Sequence, residues 1–499
     1  MIELIYTGDK YNMAKEKKIK PESEAHKAKR KANEAKELAK WKKEQAKPQI
    51  KNYFKVLVIV LALIYIVDEI TSNVEASLQS YIVCNFTNIP YPTNLSTDAT
   101  YQTKLGELTL ATMFSYVCMF ILPFYKSLAD KFGRRLFLMI NTIVMGLGMF
   151  VIMVSPNLPV YCIGVILIAM VKSNDVQVMY IMEVAPKEKR ATLCGITKAI
   201  ALLSVSLLGI FRSIFITQQP GEYITASWRN VLFFPVVFAL IIGALSVFMV
   251  RETPVFLNKR IAYLEKTDEE RLAEEEANKE KENANGGVLN AIKFIFKHKQ
   301  LRWIAIVAGL YFGATGYTSY YESIMLEGLG EQQLVNTAMI VYPIFNALFT
   351  FFNGFISDKW GRRPACIFFG CFTFVTFLLW IGGMKVFNWG PYVAGVFYGL
   401  SIGSLWSLSD TVYLTMSAES APTNLRASVM GTMSLIAVFG GVISMVGLLL
   451  NNMFAWVPIW QMCLILFVPI MVITILILIF KIKETKDVDM DKVTGAEWD

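Results

Sequence analysis

The sequence predicts an all-α membrane protein, with twelve transmembrane helices in two pseudo-symmetric six-helix bundles. Three observations carry that expectation. The chain is 55% hydrophobic and only 18% charged, whereas a soluble protein carries about 25% charged residues. Its charges fall in a few runs separated by apolar stretches near the ~20 residues that a crossing helix needs. Those stretches are too long, and alternate too little, for membrane strands. Finally, Asp130-Lys-Phe-Gly-Arg-Arg135 returns as Asp358-Lys-Trp-Gly-Arg-Arg363, 228 residues further on in a chain of 499.

Taken in order, residues 1–54 form a basic cytoplasmic tail rich in Lys, Ala and Glu. Residues 1–51 hold 15 Lys/Arg against 8 Asp/Glu, most of the +8 formal charge of the whole chain. This places the charge in one tail rather than on a nucleic-acid-binding face. The tail has no apolar core of the kind a cleaved signal peptide needs. The stretch 25–45 suits a charged helix or a disordered arm beside an anionic leaflet.

The N-terminal bundle covers 55–250, with spans at 55–78, 106–127, 135–154, 159–183, 191–216 and 229–250. A charged cytoplasmic linker with short helices follows at 251–301. The C-terminal bundle covers 302–481, with spans at 302–327, 334–355, 364–386, 389–416, 427–450 and 456–481, before a cytoplasmic tail at 482–499. Loops 126–135, 184–190, 358–363 and 419–426 carry Lys and Arg, and loops 155–158, 328–333 and 451–455 carry none. Positive charge marks the inner side, so both termini are expected in the cytoplasm, with the plasma membrane as residence. The long outer loop, 79–105, holds two glycosylation triplets, at Asn85 and Asn94.

Two further motifs repeat at nearly the same offset. Glu183-Val-Ala-Pro-Lys-Glu-Lys-Arg190 returns as Glu419-Ser-Ala-Pro-Thr-Asn-Leu-Arg426, and Arg251-Glu252-Thr253 returns as Lys483-Glu484-Thr485. Three pairs at one offset signal an internal duplication. Asp-Lys-x-Gly-Arg-Arg is too charged to enter lipid and makes a tight loop, with Gly133 and Gly361 allowing the turn. Arg134, Arg135, Arg362 and Arg363 can make forked hydrogen bonds to Glu183, Glu252, Glu419 and Glu484. With Asp130, Arg190, Gly354, Asp358 and Arg426 these residues make the expected cytoplasmic gate. Single pairs at the water interface are worth about 0–1 kcal/mol. A network of them can bias two states.

These spans and motifs resemble the major facilitator superfamily, in particular its sugar porters and organic-ion transporters. The resemblance covers about residues 55–486 and implies two six-helix bundles rocking about a central site. The second motif copy is complete from Gly354 to Arg363, whereas Lys126 stands where the first copy would carry its leading glycine. The sugar-porter pattern also departs on span 7. Tyr320-Tyr321 is present, but Tyr311, Phe312 and Tyr317 stand where family members carry amides, and Lys198 replaces a glutamine on span 5.

Carboxylates at membrane depth are the other signal. Asp68 and Glu69 lie in span 1, Asp175 in span 4, Glu322 in span 7 and Asp410 in span 10. A charge at mid-membrane costs at least about 2.5–3.5 kcal/mol, so such residues mark pathways or pair with one another. Lys172, Lys198 and Arg212 are the available bases, and Lys172 and Asp175 share one helix face. An acid-rich cavity flanked by Tyr317, Tyr320, Tyr321 and Trp406 favours a cationic or amine-bearing solute. By its resemblance to family members with an acid on span 1, Asp68 is the candidate proton carrier.

The resulting expectation is a secondary transporter of a small polar solute, working by alternating access and coupled to protons. The alternatives are a sugar porter and a transporter-like sensor. Its expected partners are a small-molecule substrate, protons and the bilayer, with no nucleic acid, and a monomer is expected. The only histidines are His26 and His298, no cysteine spacing suits a metal, and no phosphate-cradling motif is present. No catalytic residue, metal or cofactor is therefore expected.

Overall fold

A computed structural model describes residues 24–47, 53–91, 98–113, 118, 132–171, 176–185, 190–216, 221–271, 273, 288–422, 426–454, 456–486 and 488. In the first half the helices are α1 (Glu24–Gln45), α2 (Tyr53–Ser77), α3 (Gln79–Thr87), α4 (Ala99–Thr112), α5 (Arg134–Val154), α6 (Leu158–Val171), α7 (Val176–Val184), α8 (Arg190–Ser204), α9 (Ser206–Phe215) and α10 (Asn230–Met249). The linker holds α11 (Pro254–Glu265) and α12 (Val288–Lys297). The second half has α13 (Lys299–Ala314), α14 (Tyr321–Leu329), α15 (Gln332–Trp360), α16 (Arg362–Lys385), α17 (Pro391–Ser409), α18 (Arg426–Phe454) and α19 (Ile459–Phe480).

Each predicted span coincides with helix, span 2 only as far as the described residues reach. Seven stretches of described helix are long and apolar enough to cross a membrane, and they fall on spans 3, 5, 6, 8, 9, 11 and 12. Side chains such as Phe233, Phe248, Ile443 and Phe480 are exposed on these helices. Apolar surface of this kind belongs against lipid rather than water.

Spans 1, 7 and 10 are interrupted. Span 1 bends at Leu78 between α2 and α3, and span 7 passes through a 3₁₀ turn at Thr315–Ser319. Span 10 widens into a π-helical turn over Asp410–Met416, where Thr415 Oγ1 donates to the carbonyl of Asp410. Span 4 is α6 and α7, with 172–175 outside the described residues. Irregular backbone at membrane depth survives where it lines a cavity or is covered by protein. Spans 1 and 7 hold equivalent places in the two halves, as do spans 4 and 10, so the interrupted helices bring their polar residues to one central space.

The loop between spans 1 and 2 is shorter than the sequence predicts. Span 1 continues as α3 to Thr87, and α4 begins at Ala99, capped by Asp98, whose carboxylate accepts the N–H of Tyr101 at 2.9 Å. Asn85 lies within α3, and its Oδ1 accepts the indole N–H of Trp228 at 2.7 Å. Asn94 lies outside the described residues.

The tail forms a helix, α1, that packs on α11. Trp41 meets Phe256 edge-on at 5.4 Å, in a small cluster with Leu257, Ile261 and Leu264. Arg260 grips Glu37 through Nε and Nη2 at 2.9 and 3.1 Å, and Arg271 reaches Glu34 at 2.7 Å. Burial pushes the Glu37 carboxyl up, but Arg260 and the Trp41 N–H outweigh it and leave it below its ordinary value.

Candidate functional site

A cavity of about 690 Å³ lies between the two halves. That volume is typical of a small-molecule site. The first half contributes Asp68, Glu69, Asn73 and Glu75 from α2, Thr109 from α4 and Lys198 from α8. The second half contributes Tyr311, Tyr320, Asn346, Trp406 and Asp410, with Thr315, Ser319 and Ser434 among the neutral hydroxyls.

Lys198 Nζ donates to Asp410 Oδ2 at 3.0 Å, joining the halves across the cavity. Both side chains remain about one-third exposed, at 29% and 33%, so water and solute can reach the pair. Asp68 is more enclosed, at 8% exposure. Its Oδ2 accepts the Gln177 amide at 3.1 Å, and it borders both the cavity and a small gap beside Asn141 and Thr142. Lys172 and Asp175 lie outside the described residues.

Of the expected substrate and proton residues, the cavity gathers Asp68, Lys198, Asp410, Tyr320 and Trp406. Tyr317 and Tyr321, four residues apart, face into the second half. Tyr317 bonds Ser401 at 3.0 Å and packs on Phe377, while Tyr321 stacks on Tyr398. Glu322 is also outside the cavity lining. It is fully buried against Arg212, Nη2 to Oε1 at 3.0 Å, at the end of the bundles remote from the duplicated motifs.

At the motif end the two copies build the same network. Gly133 and Gly361 have φ of 102° and 100° and open α5 and α16. This is a left-handed backbone that favours glycine. The following N–H groups are capped by a carboxylate: those of Arg134 and Arg135 by Glu252, and those of Arg362 and Arg363 by Glu484. Such capping satisfies donors that a helix start leaves open.

Arg134 Nε donates to Glu183 at 3.0 Å, and Arg362 Nε donates to Glu419 at 3.2 Å. Thr253 and Thr485 hydroxyls donate to the other oxygens of those same two carboxylates. Arg135 reaches the carbonyl of Val247, and Arg363 that of Ile479. Asp358 adds a contact to Arg362. Burial pushes the Glu252 carboxyl up, opposed by the backbone N–H groups of Thr253, Arg135 and Arg134. Gly354 lies within α15, and a Cβ there would meet nothing within 4 Å. Asp130 and Lys126 lie outside the described residues, as do the side chains of Arg190 and Arg426, where α8 and α18 begin.

Sequence reasoning missed Gln177, the partner of Asp68. Its signal was an amide two residues after the polar run Lys172-Ser-Asn-Asp175 within span 4. It also missed Glu75, Asn73 and Asn346, which line the cavity. The opposing placement of Lys198 and Asp410, on spans 5 and 10, has no local signature.

Two facing bundles around a central polar cavity, with duplicated networks at one end, define a multi-pass membrane transporter of the alternating type rather than an enzyme. The sequence profile of the Major Facilitator Superfamily matches residues 57–445 and 324–495, and the chain belongs to that superfamily.

Among curated proteins the chain is similar to "Glucose transporter GlcP" of Staphylococcus epidermidis, 25% identical over 338 residues, covering 62% of this chain and 72% of that one. It is similar also to "Arabinose-proton symporter" of Bacillus subtilis, 23% identical over 322 residues, covering 61% and 68%. Among solved structures, the inward open conformation of the xylose transporter XylE from E. coli matches with a TM-score of 0.62 and 15% identity over 90% of this chain and 100% of that one. A bacterial homologue of the lysosomal transporter Spinster matches with a TM-score of 0.55 and 14% identity, covering 90% and 98%. The chain is thus a secondary transporter of that superfamily.

Proposed function

We propose that the protein carries a sugar-sized, polyhydroxylated solute together with a proton, by alternating access in the plasma membrane, with the motif end and both termini in the cytoplasm. The observation that carries this reading is the Lys198–Asp410 pair within a cavity otherwise rich in hydroxyls, amides and aromatic rings. Lysine neutralises the carboxylate that would otherwise attract an amine. Asn73, Asn346 and the lining hydroxyls offer the neutral donors and acceptors that a sugar requires. The two curated relatives, a glucose transporter and an arabinose-proton symporter, agree with this preference.

Asp68 is the proton carrier in this reading. It is largely shielded, borders the cavity, and accepts the neutral amide of Gln177 on Oδ2. The duplicated networks act as the cytoplasmic gate, stiffening each half where the halves part.

A second reading keeps the cationic solute. Among the described residues, the cavity lining holds four acids, Asp68, Glu69, Glu75 and Asp410, against one base, Lys198. Counterflow in proteoliposomes with labelled D-xylose, D-glucose and L-arabinose, against labelled choline and putrescine, decides between the two. Exchange of a sugar alone is expected, and exchange of a cation alone would overturn the sugar reading. Asp68→Asn should abolish uptake driven by a pH gradient while leaving counterflow in place. Unchanged pH-driven uptake would remove Asp68 from the coupling role.

A further inference from the structure

We infer that Arg212 and Glu322 form a second gate, a buried charge lock that holds the end remote from the motifs shut and must part when the cavity opens there. This rests on the alternating-access reading. The lock is built from both halves. Arg212 on α9 and Ser80 on α3 belong to the first, and Glu322 on α14 and Asn336 on α15 to the second.

Four bonds cross between the halves. Arg212 Nη2 donates to Glu322 Oε1 at 3.0 Å and Arg212 Nε to Asn336 Oδ1 at 3.0 Å. Ser80 donates twice to Glu322, from Oγ at 2.6 Å and from its backbone N–H at 3.2 Å. Both charged side chains are fully enclosed, at 0% exposure. The Arg212 guanidinium also covers the Tyr81 ring at 5.3 Å.

The surroundings close the same end. Tyr91 donates to Gln332 at 3.1 Å and Ser323 to Gln79 at 3.2 Å, again between halves. A Cβ on Gly209 would stand 2.9 Å from Ile340 Cγ1 and 3.0 Å from the Asn336 carbonyl. Glycine there lets α9 and α15 touch directly. The result is an enclosed interface centred on one ion pair. An enclosed pair stays intact because each charge lacks any other means of neutralisation, and removing one partner strands the other. Water entering as the end opens would hydrate both, so the same pair is stable in either state and costly only when halved.

The test is the rate at which a membrane-impermeant maleimide, added on the side opposite the motif loops, labels Ala76→Cys on the cavity wall. Labelling is measured in proteoliposomes over the parent protein. Glu322→Gln and Arg212→Gln should each raise that rate by about tenfold or more, because a stranded charge favours the hydrated, open state. The uncharged double variant, Arg212→Gln with Glu322→Gln, should fall between the parent and the singles.

Should a single variant fail to fold, the double variant carries the same test: a rate above the parent supports the lock, and a rate equal to it overturns the lock. Rates within twofold of the parent in both folded singles would also overturn it. Sugar counterflow by the parent is measured on the same vesicles. If it is absent, the transport reading fails. If it is intact while labelling does not respond, the lock alone fails.

Discussion

At the motif end, Arg134 bonds Glu183 within the first half and Arg362 bonds Glu419 within the second. At the opposite end, Arg212 and Ser80 of the first half bond Glu322 of the second. The first arrangement stiffens each half. The second ties them together. The chain thus spends its duplicated charges on two rigid bodies and an unduplicated pair on the contact between them. This explains why three motif pairs recur at nearly one offset while Arg212 and Glu322 have no counterparts. A contact between halves needs one residue from each, whereas an internal brace is needed twice.

The largest expected effect that can break this comparison comes from Glu252. Its enclosed carboxylate accepts N–H groups of Arg134, Arg135 and Thr253. Glu252→Ala should cost about 3 kcal/mol, because it leaves those donors without an acceptor. The equivalent Glu484 is only half-buried, so Glu484→Ala should cost less, about 2 kcal/mol. Thermal melting in detergent would rank them, and the reverse order would show that the two braces are not equivalent in kind. Next come Gly133→Ala and Gly361→Ala. Each should lose about 1–3 kcal/mol to backbone strain at positive φ, in nearly equal amounts if the halves are true copies.

A smaller effect concerns the tail, which braces one half only. Trp41→Ala removes the edge-on contact with Phe256, worth about 0.5–1.5 kcal/mol beyond area burial. Limited proteolysis should then cut within 24–47 sooner. Unchanged protection would mean that the ion pairs alone hold α1. The smallest is a pH effect at Glu37. Its folded carboxyl lies below the ordinary 4.5, so its contribution is present above that value and fades as pH falls through the lower folded value. Glu37→Gln should flatten the acid dependence of tail protection below about pH 4.5, and an unaltered acid profile would contradict the assignment.

Much of the architecture was legible in the sequence because membrane depth imposes length and duplication imposes spacing. The pairing of Arg134 with Glu183 and of Arg362 with Glu419 follows the duplication. Glu252 and Glu484 accept backbone N–H groups instead of the forked guanidinium bonds the sequence suggested, because they cap the starts of α5 and α16. What escaped was placement within a span. Glu322 and Tyr321 sit in the same apolar stretch as Tyr320, yet only Tyr320 reaches the cavity, because the 3₁₀ turn at Thr315–Ser319 resets the face each side chain presents. The Lys198–Asp410 pair joins residues 212 apart, and no local pattern announces it. The expectation of a cationic solute rests on the acids and the aromatic faces, and it takes Lys198 only as an available base, not as the partner of Asp410.

The central claim is that two rigid halves rock about the cavity, and spin-label distances test it most directly. Phe132 and Trp360 are exposed at the motif end of each half, and Tyr223 and Val386 are exposed at the other end. One doubly labelled protein pairs Phe132→Cys with Trp360→Cys, and another pairs Tyr223→Cys with Val386→Cys. Each is measured by pulsed electron resonance with and without saturating D-xylose, D-glucose or L-arabinose. A transported sugar should shift the two distance distributions in opposite senses. Distances that stay fixed at both ends with a sugar that undergoes counterflow, or that change in the same sense, would contradict the account.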